Sequence, residues 1–297
     1  MSRSKLLRML PSGANEALLF FILGAAYGLG ISALWKSDRI SGAGSTKVNK
    51  QGVRPRVVCF GDSLTQFGFD PERLGWLALL SHWWERRFDV VNRGFSGYNT
   101  RWLLPLVDKL FTTDGSAETK LVTIFLGAND CVLPGNAQYV PIDEYKDSLK
   151  QIVSHVRKVL PAARVLLISP PPIHEAKWAE HRGLQARDMD RRQDTTMSYA
   201  KACLEVGQEV SARVVDAYTL MGGGDETLAD KYLHDGVHFT SDGNRLLFEA
   251  VQKEIRLSFP ELDPDNEAGA SMQAPHWADV NPVNHRESVL KDWLKDE

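Results

Sequence analysis

The stretch CFGDSLT, residues 59–65, decides the fold class of this chain. It overlaps the end of an apolar run, residues 57–60, which predicts a buried β-strand. The run stops at Gly61, Asp62 and Ser63, and open α/β sheets present their reactive groups where strands end. Taken alone, the triplet is more typical of a strand-to-helix turn with an N-cap serine. Three later stretches supply the other parts of an active site, and together they predict that Ser63 is a nucleophile.

The composition is that of an ordinary globular protein. The chain has 297 residues, 43% apolar and 25% charged, which favours one folded core with two trailing ends. A net charge of −3, with no stripe of basic and aromatic residues, argues against binding to nucleic acid. There is no Walker loop and no G-x-G-x-x-G motif. The cysteines, Cys59, Cys131 and Cys203, are scattered and odd in number, which implies neither a disulfide framework nor a metal site.

The N-terminal region predicts a membrane segment. Residues 1–16 carry three basic residues and one acid, and residues 17–35 contain no charge. At about 1.5 Å per residue the apolar run spans a hydrocarbon core of roughly 30 Å, which favours a single-pass signal anchor. A cleaved signal peptide, giving a secreted protein, is the alternative, but the run is long for one and only Ser32-Ala33 resembles a cleavage site. The flanking basic residues favour a catalytic domain outside the cytosol.

The remaining boundaries follow from changes in composition. Residues 36–55 are rich in Ser, Gly and Lys without an apolar period, which predicts a flexible linker. The folded domain is expected over residues 56–258. Residues 259–297 form a polar tail that is either packed on the domain or partly disordered.

Short apolar runs and amphipathic stretches alternate within the domain. The expected strands are residues 56–61, 89–92, 121–126, 165–169 and 213–216. The expected helices are residues 76–87, 100–111, 143–160, a stretch ending near residue 209, and residues 241–257, with residues 174–192 partly loop. This alternation predicts an α/β fold with a parallel sheet, helices on both faces, and a site beyond the carboxyl ends of the strands.

A serine esterase needs a base, a group that orients the base, and donors for an oxyanion. The candidate base is His238, in the stretch HDGVHF at residues 234–239. Asp235 lies three residues earlier, a spacing that can place its carboxylate against Nδ1 and turn Nε2 toward the serine. Asp216, at the end of the last predicted strand, is the alternative orienting acid and ranks below Asp235 because only the fold could bring it near.

Two stretches offer oxyanion donors. Gly94, in NRGFSG at residues 92–97, follows the second strand, where the lack of a side chain lets a backbone N–H approach a substrate. Asn129, in GAND at residues 127–130, follows the central strand and carries a neutral amide donor. Alone, the first stretch is equally consistent with a plain turn, and the second is more typical of an Asx turn.

The four stretches GDSL, NRG, GAND and DGVH together resemble the SGNH (GDSL-type) hydrolase family, over about residues 56–258. The longer strings GDSLTQFGF, NRGFSGYNTRW and DGVHFTSDGN are similar to its isoamyl acetate-hydrolysing esterase subgroup. The resemblance implies a flavodoxin-like three-layer α/β/α fold with a five-stranded parallel sheet. It also implies a triad of Ser63, Asp235 and His238, and an oxyanion hole of the Ser63 and Gly94 N–H groups with the Asn129 side chain. The turn is not the G-x-S-x-G elbow of α/β-hydrolases.

The favoured function is hydrolysis of small or medium carboxylic esters, acetate-type esters first, through an acyl-enzyme and without a metal or cofactor. An acyltransferase or deacetylase acting on a larger alcohol, such as a sugar, would use the same triad. A catalytically silent, membrane-tethered binding protein is the alternative from another class. The expected partners are a small-molecule ester and, through residues 17–35, a membrane; the sequence leaves the oligomeric state open.

Overall fold

The computed structural model describes residues 54–114, 118–266, 269–270 and 272–290. The predicted basic segment, the membrane helix and the linker up to residue 53 lie outside these ranges. Within the described residues, no helix is long and apolar enough to cross a bilayer.

Five parallel strands form a single sheet in the order β2-β1-β3-β4-β5. The strands are β1 (Arg56–Gly61), β2 (Asp89–Gly94), β3 (Thr119–Phe125), β4 (Arg164–Ile168) and β5 (Arg213–Val215). The predicted five-stranded parallel sheet is therefore confirmed, and its strand order is that of flavodoxin-like folds. The register pairs Gly61 with both Gly94 and Phe125, so the carboxyl ends of β1, β2 and β3 lie side by side.

Helices connect and cover the strands. The α-helices are α1 (Ser63–Gln66), α2 (Trp76–Trp83), α3 (Thr100–Leu103), α4 (Val107–Leu110), α5 (Ile142–Val159), α6 (Glu175–Arg182), α7 (Gln193–Glu209), α8 (Ala217–Leu220), α9 (Glu226–Tyr232), α10 (Ser241–Ser258) and α11 (His285–Leu290). Short 3-10 helices occupy Phe67–Phe69, Leu104–Leu106, Ala186–Asp188, Pro260–Leu262 and Trp277–Asp279.

The central strand β3 shows how three layers arise. Its Leu121 and Phe125 belong to a core cluster shared with α2 and α10. Its Val122 and Ile124 belong to a second cluster, shared with α3, α4, α5 and α7. Successive side chains of a strand point to opposite faces, which is why apolar residues stand at both even and odd positions of this strand, interrupted only by Thr123 between Leu121 and Phe125. Each such side chain contributes roughly 1.5–3 kcal/mol when fully buried.

Several predicted elements differ from the observed ones. Helix α2 ends at Trp83 instead of residue 87. Residues 100–111 form α3, a 3-10 turn and α4 instead of one helix, because Pro105 lies at the second position of the turn and has no N–H to donate. Strand β2 continues to Gly94, two residues beyond the expected end. Helix α9 has no counterpart among the predicted elements.

The first part of the C-terminal tail packs against the end of α2. Trp84 Nε1 donates to the Leu262 carbonyl oxygen at 2.8 Å, and Leu262 is buried in the cluster that α2 shares with α10. Arg87 Nε donates to the Ala270 carbonyl oxygen at 2.9 Å. The described part of the tail is therefore packed on the domain up to residue 270.

Candidate active site

The turn between β1 and α1 carries Ser63. A side chain at Gly61 would come within 2.4 Å of the Phe125 carbonyl oxygen, so only glycine fits there. Asp62 caps α1, because its Oδ1 accepts the Leu64 N–H at 2.9 Å. The N-cap is thus Asp62, and the interpretation of Ser63 as an N-cap serine is wrong. The Ser63 hydroxyl is left to face the site.

Asp62 itself is fully buried beneath the turn. Burial raises the pKa of its carboxyl from 3.8 to about 7, and the hydrogen bond from Leu64 N–H lowers it less strongly. Its second oxygen has no hydrogen-bond partner within the described part of the chain. The carboxyl is therefore neutral in the folded protein below about pH 7, since an isolated buried charge is costly.

His238 and Asp235 lie in the loop before α10, and His238 contacts Ser63. His238 Nε2 is 3.0 Å from Ser63 Oγ, and its Nδ1 is 2.6 Å from Asp235 Oδ2. The other Asp235 oxygen accepts the backbone N–H groups of Val237 and His238 at 2.9 and 2.8 Å. Because the carboxylate accepts a hydrogen bond from Nδ1–H, the proton of the neutral ring stays on Nδ1 and Nε2 is left as the acceptor for the serine proton.

The electrostatics of Asp235 favour its ionised form. Burial raises the pKa of its carboxyl, but the hydrogen bond and charge of His238, with the two backbone N–H groups, outweigh burial and hold that pKa well below its usual range. Asp235 is 6% exposed, so its negative charge acts on the imidazole with little screening by water.

Asp216 does not orient the histidine. Its Oδ1 accepts the Thr219 N–H at 3.1 Å, which caps α8, and the Ser169 hydroxyl at 3.3 Å. Of the two acids, Asp235 is the one that lies against the imidazole.

Both the nitrogen and the oxygen of the Asn129 side-chain amide are hydrogen-bonded. Its Nδ2 donates to the Tyr98 carbonyl oxygen at 2.9 Å, and its Oδ1 accepts from Arg191 at 3.1 Å. The Arg191 guanidinium is buried, donates to the Ala128 carbonyl oxygen and stacks over the Trp178 ring at 5.1 Å. An amide nitrogen has two hydrogens, so one N–H of Asn129 remains for a substrate oxygen.

Gly94 differs from its predicted role. Its N–H donates to Asn92 Oδ1 at 2.8 Å, so this donor is already engaged. A Cβ at Gly94 would lie 2.0 Å from Gln66 N, which explains the glycine by close packing of β2 on α1. In the described geometry Gly94 does not offer its N–H to an oxyanion.

Gly97, and not the predicted Gly94, is a backbone N–H donor available for an oxyanion. Its φ of +81° places it in the conformation that favours glycine, and within the described part of the chain its N–H has no acceptor. The next residue, Tyr98, holds the Asn129 amide, so Gly97 lies in the same loop as a contact of Asn129. Ser63 begins α1, and the first N–H groups of a helix lack intrahelical partners, so the Ser63 N–H is a second available donor.

A cavity of about 320 Å³ opens beside His238. Leu64 and the ring of Phe67, 5.5 Å from the imidazole, form part of its apolar wall. Asp70 and Arg73 line the same cavity and form an ion pair at 2.7 Å. The cavity lies next to His238, and in ester cleavage the histidine gives its proton to the leaving group.

Comparisons with known proteins identify the family of the chain. Residues 59–246 match the model of the GDSL-like Lipase/Acylhydrolase family. The chain belongs to this family.

Two curated relatives are similar in sequence to most of this chain. The isoamyl acetate-hydrolyzing esterase 1 homolog of Rattus norvegicus is 39% identical over 246 residues, covering 80% of this chain and 93% of the relative. A GDSL esterase/lipase of Arabidopsis thaliana is 39% identical over 240 residues, covering 78% and 96%. These relatives and the family match make the protein a carboxylic ester hydrolase.

Solved structures show the same fold. An acetyl xylan esterase of Geobacillus stearothermophilus is 22% identical with a TM-score of 0.52, over 69% of this chain and 96% of that chain. A lipase/acylhydrolase of Enterococcus faecalis is 24% identical with a TM-score of 0.50, over 68% and 95%. At these identities the likeness supports the SGNH hydrolase fold alone.

Sequence reasoning missed Arg191 and Gly97 for different reasons. Arg191 is 62 positions from Asn129 and lies in a charged segment with no periodic pattern. Gly97 lies in the stretch NRGFSG, which contains two glycines. Which of the two can offer a free N–H depends on where β2 ends. Placing that end at residue 94 instead of 92 would have moved Gly94 out of the loop and pointed to Gly97.

Proposed function

We propose that Ser63, His238 and Asp235 are the catalytic triad of an esterase that cleaves small carboxylic esters. One observation carries this proposal: an unbroken hydrogen-bonded series runs from Ser63 Oγ through both nitrogens of His238 to Asp235 Oδ2, at 3.0 and 2.6 Å. A serine hydroxyl is a poor nucleophile until a neighbouring base removes its proton, and this series supplies the base and its orientation.

The reaction proceeds in two steps, formation of an acyl-enzyme and its hydrolysis by water. Ser63 Oγ attacks the ester carbonyl carbon while His238 Nε2 takes its proton, and the carbonyl oxygen becomes an oxyanion bound by the N–H groups of Ser63, Gly97 and Asn129. Collapse breaks the carbon–oxygen bond to the alcohol, which leaves with the proton from His238. Water then attacks the acyl-enzyme by the same route, releasing the carboxylic acid and restoring the serine.

Acetate-type esters are the favoured substrates. The curated relatives named for isoamyl acetate hydrolysis support a short acyl group and a small alcohol. The cavity beside His238, at about 320 Å³, lies at the small end of the range for ligand pockets.

The first test combines a substrate series with the loss of the nucleophile. Purified full-length protein is assayed on p-nitrophenyl esters of increasing acyl length, and activity should be highest on the shortest. Ser63→Ala should lower kcat by several orders of magnitude, because no acyl-enzyme can form, while a small residual rate persists. The control is Ser154→Ala, which removes an exposed serine from α5.

A result on either arm can overturn the proposal. More than about a tenth of the wild-type kcat in Ser63→Ala would refute the covalent mechanism. Failure of a fluorophosphonate probe to label the wild-type serine would instead favour the silent binding protein.

A second candidate function is transfer or removal of an acyl group on a polyhydroxyl alcohol. The Asp70–Arg73 ion pair in the cavity favours it, because hydroxyl groups can donate to the carboxylate and accept from the guanidinium. One structural neighbour is named as an acetyl xylan esterase. The two functions separate by measuring how acyl product divides between water and added sugar alcohols.

We also propose that residues 17–35 anchor the enzyme to a membrane, with the catalytic domain outside the cytosol. The support is the uncharged run and its flanking basic residues. Secretion after signal cleavage remains the alternative, and both place the esterase outside the cytosol.

A further inference from the structure

Three histidines converge on one oxygen atom of Asp235. His238 Nδ1 bonds to Asp235 Oδ2 at 2.6 Å, while His234 Nε2 and His181 Nε2 lie 3.9 and 4.0 Å from that same oxygen. The two longer distances exceed hydrogen-bond length, so these imidazoles face the carboxylate without bonding to it. The proposed mechanism uses only His238, which leaves His181 and His234 without a role.

The loop that carries His234 is tied together by backbone contacts. The His234 N–H donates to the His238 carbonyl oxygen at 2.8 Å, and Leu233 pairs with Phe239 in an antiparallel bridge. These bonds hold the His234 backbone beside the catalytic histidine, and the two rings lie 6.0 Å apart and nearly parallel.

Helix α6, which carries His181, is packed tightly on the same loop. The His174 N–H at its start donates to the Gly236 carbonyl oxygen at 2.9 Å, and a Cβ at Gly236 would lie 2.6 Å from Trp178 N. The Trp178 ring in turn packs against the His181 imidazole at 5.8 Å. The positions of His181 and Asp235 are therefore set by two packed backbones.

We propose that His181, His234 and Asp235 form a binding site for a zinc-class divalent cation that inhibits the enzyme. Two imidazole nitrogens and one carboxylate oxygen are a ligand set that zinc takes, at about 2.0–2.2 Å each, with water completing a tetrahedron. Tetrahedral ligands at that bond length lie roughly 3.3–3.5 Å apart. The observed 3.9 and 4.0 Å to Oδ2 are about half an ångström longer, so binding the ion requires both partly exposed imidazoles to turn toward it and toward each other.

The surroundings are compatible with an added positive charge. Arg73 lines the same cavity as His234 but is paired with Asp70 at 2.7 Å. Lys177, which donates to the Leu233 carbonyl oxygen, is paired with Asp230 at 2.8 Å. The His181 side chain is about half exposed and that of His234 about one third, so an ion can reach both from solvent.

Inhibition follows from the role of Asp235, and this part rests on the proposed function. A cation on Oδ2 withdraws the negative charge that stabilises the His238 imidazolium as it takes the serine proton. The bound ion should therefore lower kcat reversibly. No step of the proposed reaction involves the ion, so the enzyme stays active when this site holds no metal.

The test separates binding from inhibition. Titration calorimetry of full-length Ser63→Ala with Zn²⁺, and visible absorption of bound Co²⁺, measure binding without turnover. One ion per chain is expected, and His181→Gln combined with His234→Gln should weaken binding at least tenfold. The matched control, His82→Gln, removes an exposed histidine of α2 and should bind as before.

The inhibition arm uses ester hydrolysis, each variant measured against its own rate in a chelator. Zn²⁺ should inhibit the wild type and His82→Gln equally, and the double variant at least tenfold more weakly. Equal zinc binding by the double variant and the wild type, or no binding to either, would overturn the site. Binding that leaves kcat unchanged would overturn inhibition. A protein without esterase activity that still binds zinc through these histidines would refute the proposed function and leave the site standing.

Discussion

At the scale of single residues, Arg191 is expected to act on catalysis through Asn129. Its guanidinium fixes the amide oxygen at 3.1 Å and, being buried, polarises the amide toward a stronger N–H donor. Asn129→Ala should lower kcat by roughly 10²–10³ with KM nearly unchanged, because the amide bonds to charge that develops only in the transition state. Arg191→Met should lower kcat by about tenfold, and Arg191→Lys should recover part of it.

A double-mutant cycle shows whether Arg191 works through Asn129. In the Asn129→Ala background, Arg191→Met should change kcat by less than about twofold, because the amide that it positions is gone. The control is Arg192→Met, which breaks an ion pair with Glu175 in the same segment. Multiplicative losses in the cycle would mean that Arg191 supports the fold independently of Asn129, and melting temperatures of all variants should be compared.

At the scale of elements, the β1–α1 turn makes stability depend on pH through Asp62. Its pKa is about 7 in the folded protein, against an ordinary value of 3.8, so the folded state binds the extra proton between these values. Stability from this group is therefore present below about pH 4 and is lost as pH rises to about 7.

Asp62→Asn should remove this pH dependence, because an amide oxygen can still cap α1 but carries no charge. Relative to the wild type, the variant should gain on the order of a few kcal/mol between pH 4.5 and pH 7.5, as measured by chemical denaturation at both values. A constant difference across this range would show that the buried carboxyl does not titrate there.

The contact between β2 and α1 predicts a second effect at this scale. Gly94→Ala should reduce the free energy of unfolding by about 3 kcal/mol, because its Cβ would meet the backbone at Gln66 and force the two elements apart. Gly183→Ala is the control: it has open space around it and a φ of +64°, so it should cost only about 1 kcal/mol. Equal losses would show that the close approach at Gly94 relaxes easily.

At the scale of the whole molecule, residues 17–35 should hold the full chain in the membrane fraction. Salt screens surface attraction but does not release a spanning helix, so the protein should resist both high-salt and carbonate washes. Leu23→Arg with Ala26→Arg should release it, since each charge at the centre of a span costs about 2.5–3.5 kcal/mol. Release of the wild type by carbonate would refute the anchor. Protease protection in sealed vesicles then reports the orientation.

The sequence by itself determined the features that depend on neighbouring residues. Apolar runs of strand length separated by amphipathic stretches predicted five parallel strands and their layers, because periodicity records which faces are buried. The pairing of Asp235 with His238 was also predictable, since three residues in a tight loop bring the carboxylate to Nδ1.

Only the tertiary structure decided what depends on distant segments meeting. Ser63 and His238 are 175 positions apart, and Arg191 and Asn129 are 62 apart, so their contacts arise from packing that no local pattern records. The exchange of Gly94 for Gly97 as the available donor depends on strand register, because pairing Gly61 with Gly94 keeps that residue inside the sheet. The convergence of His181 and His234 on Asp235 likewise requires α6 to pack on the loop before α10. Local periodicity sets the elements, whereas the contacts that make the site come from burial of their shared apolar faces.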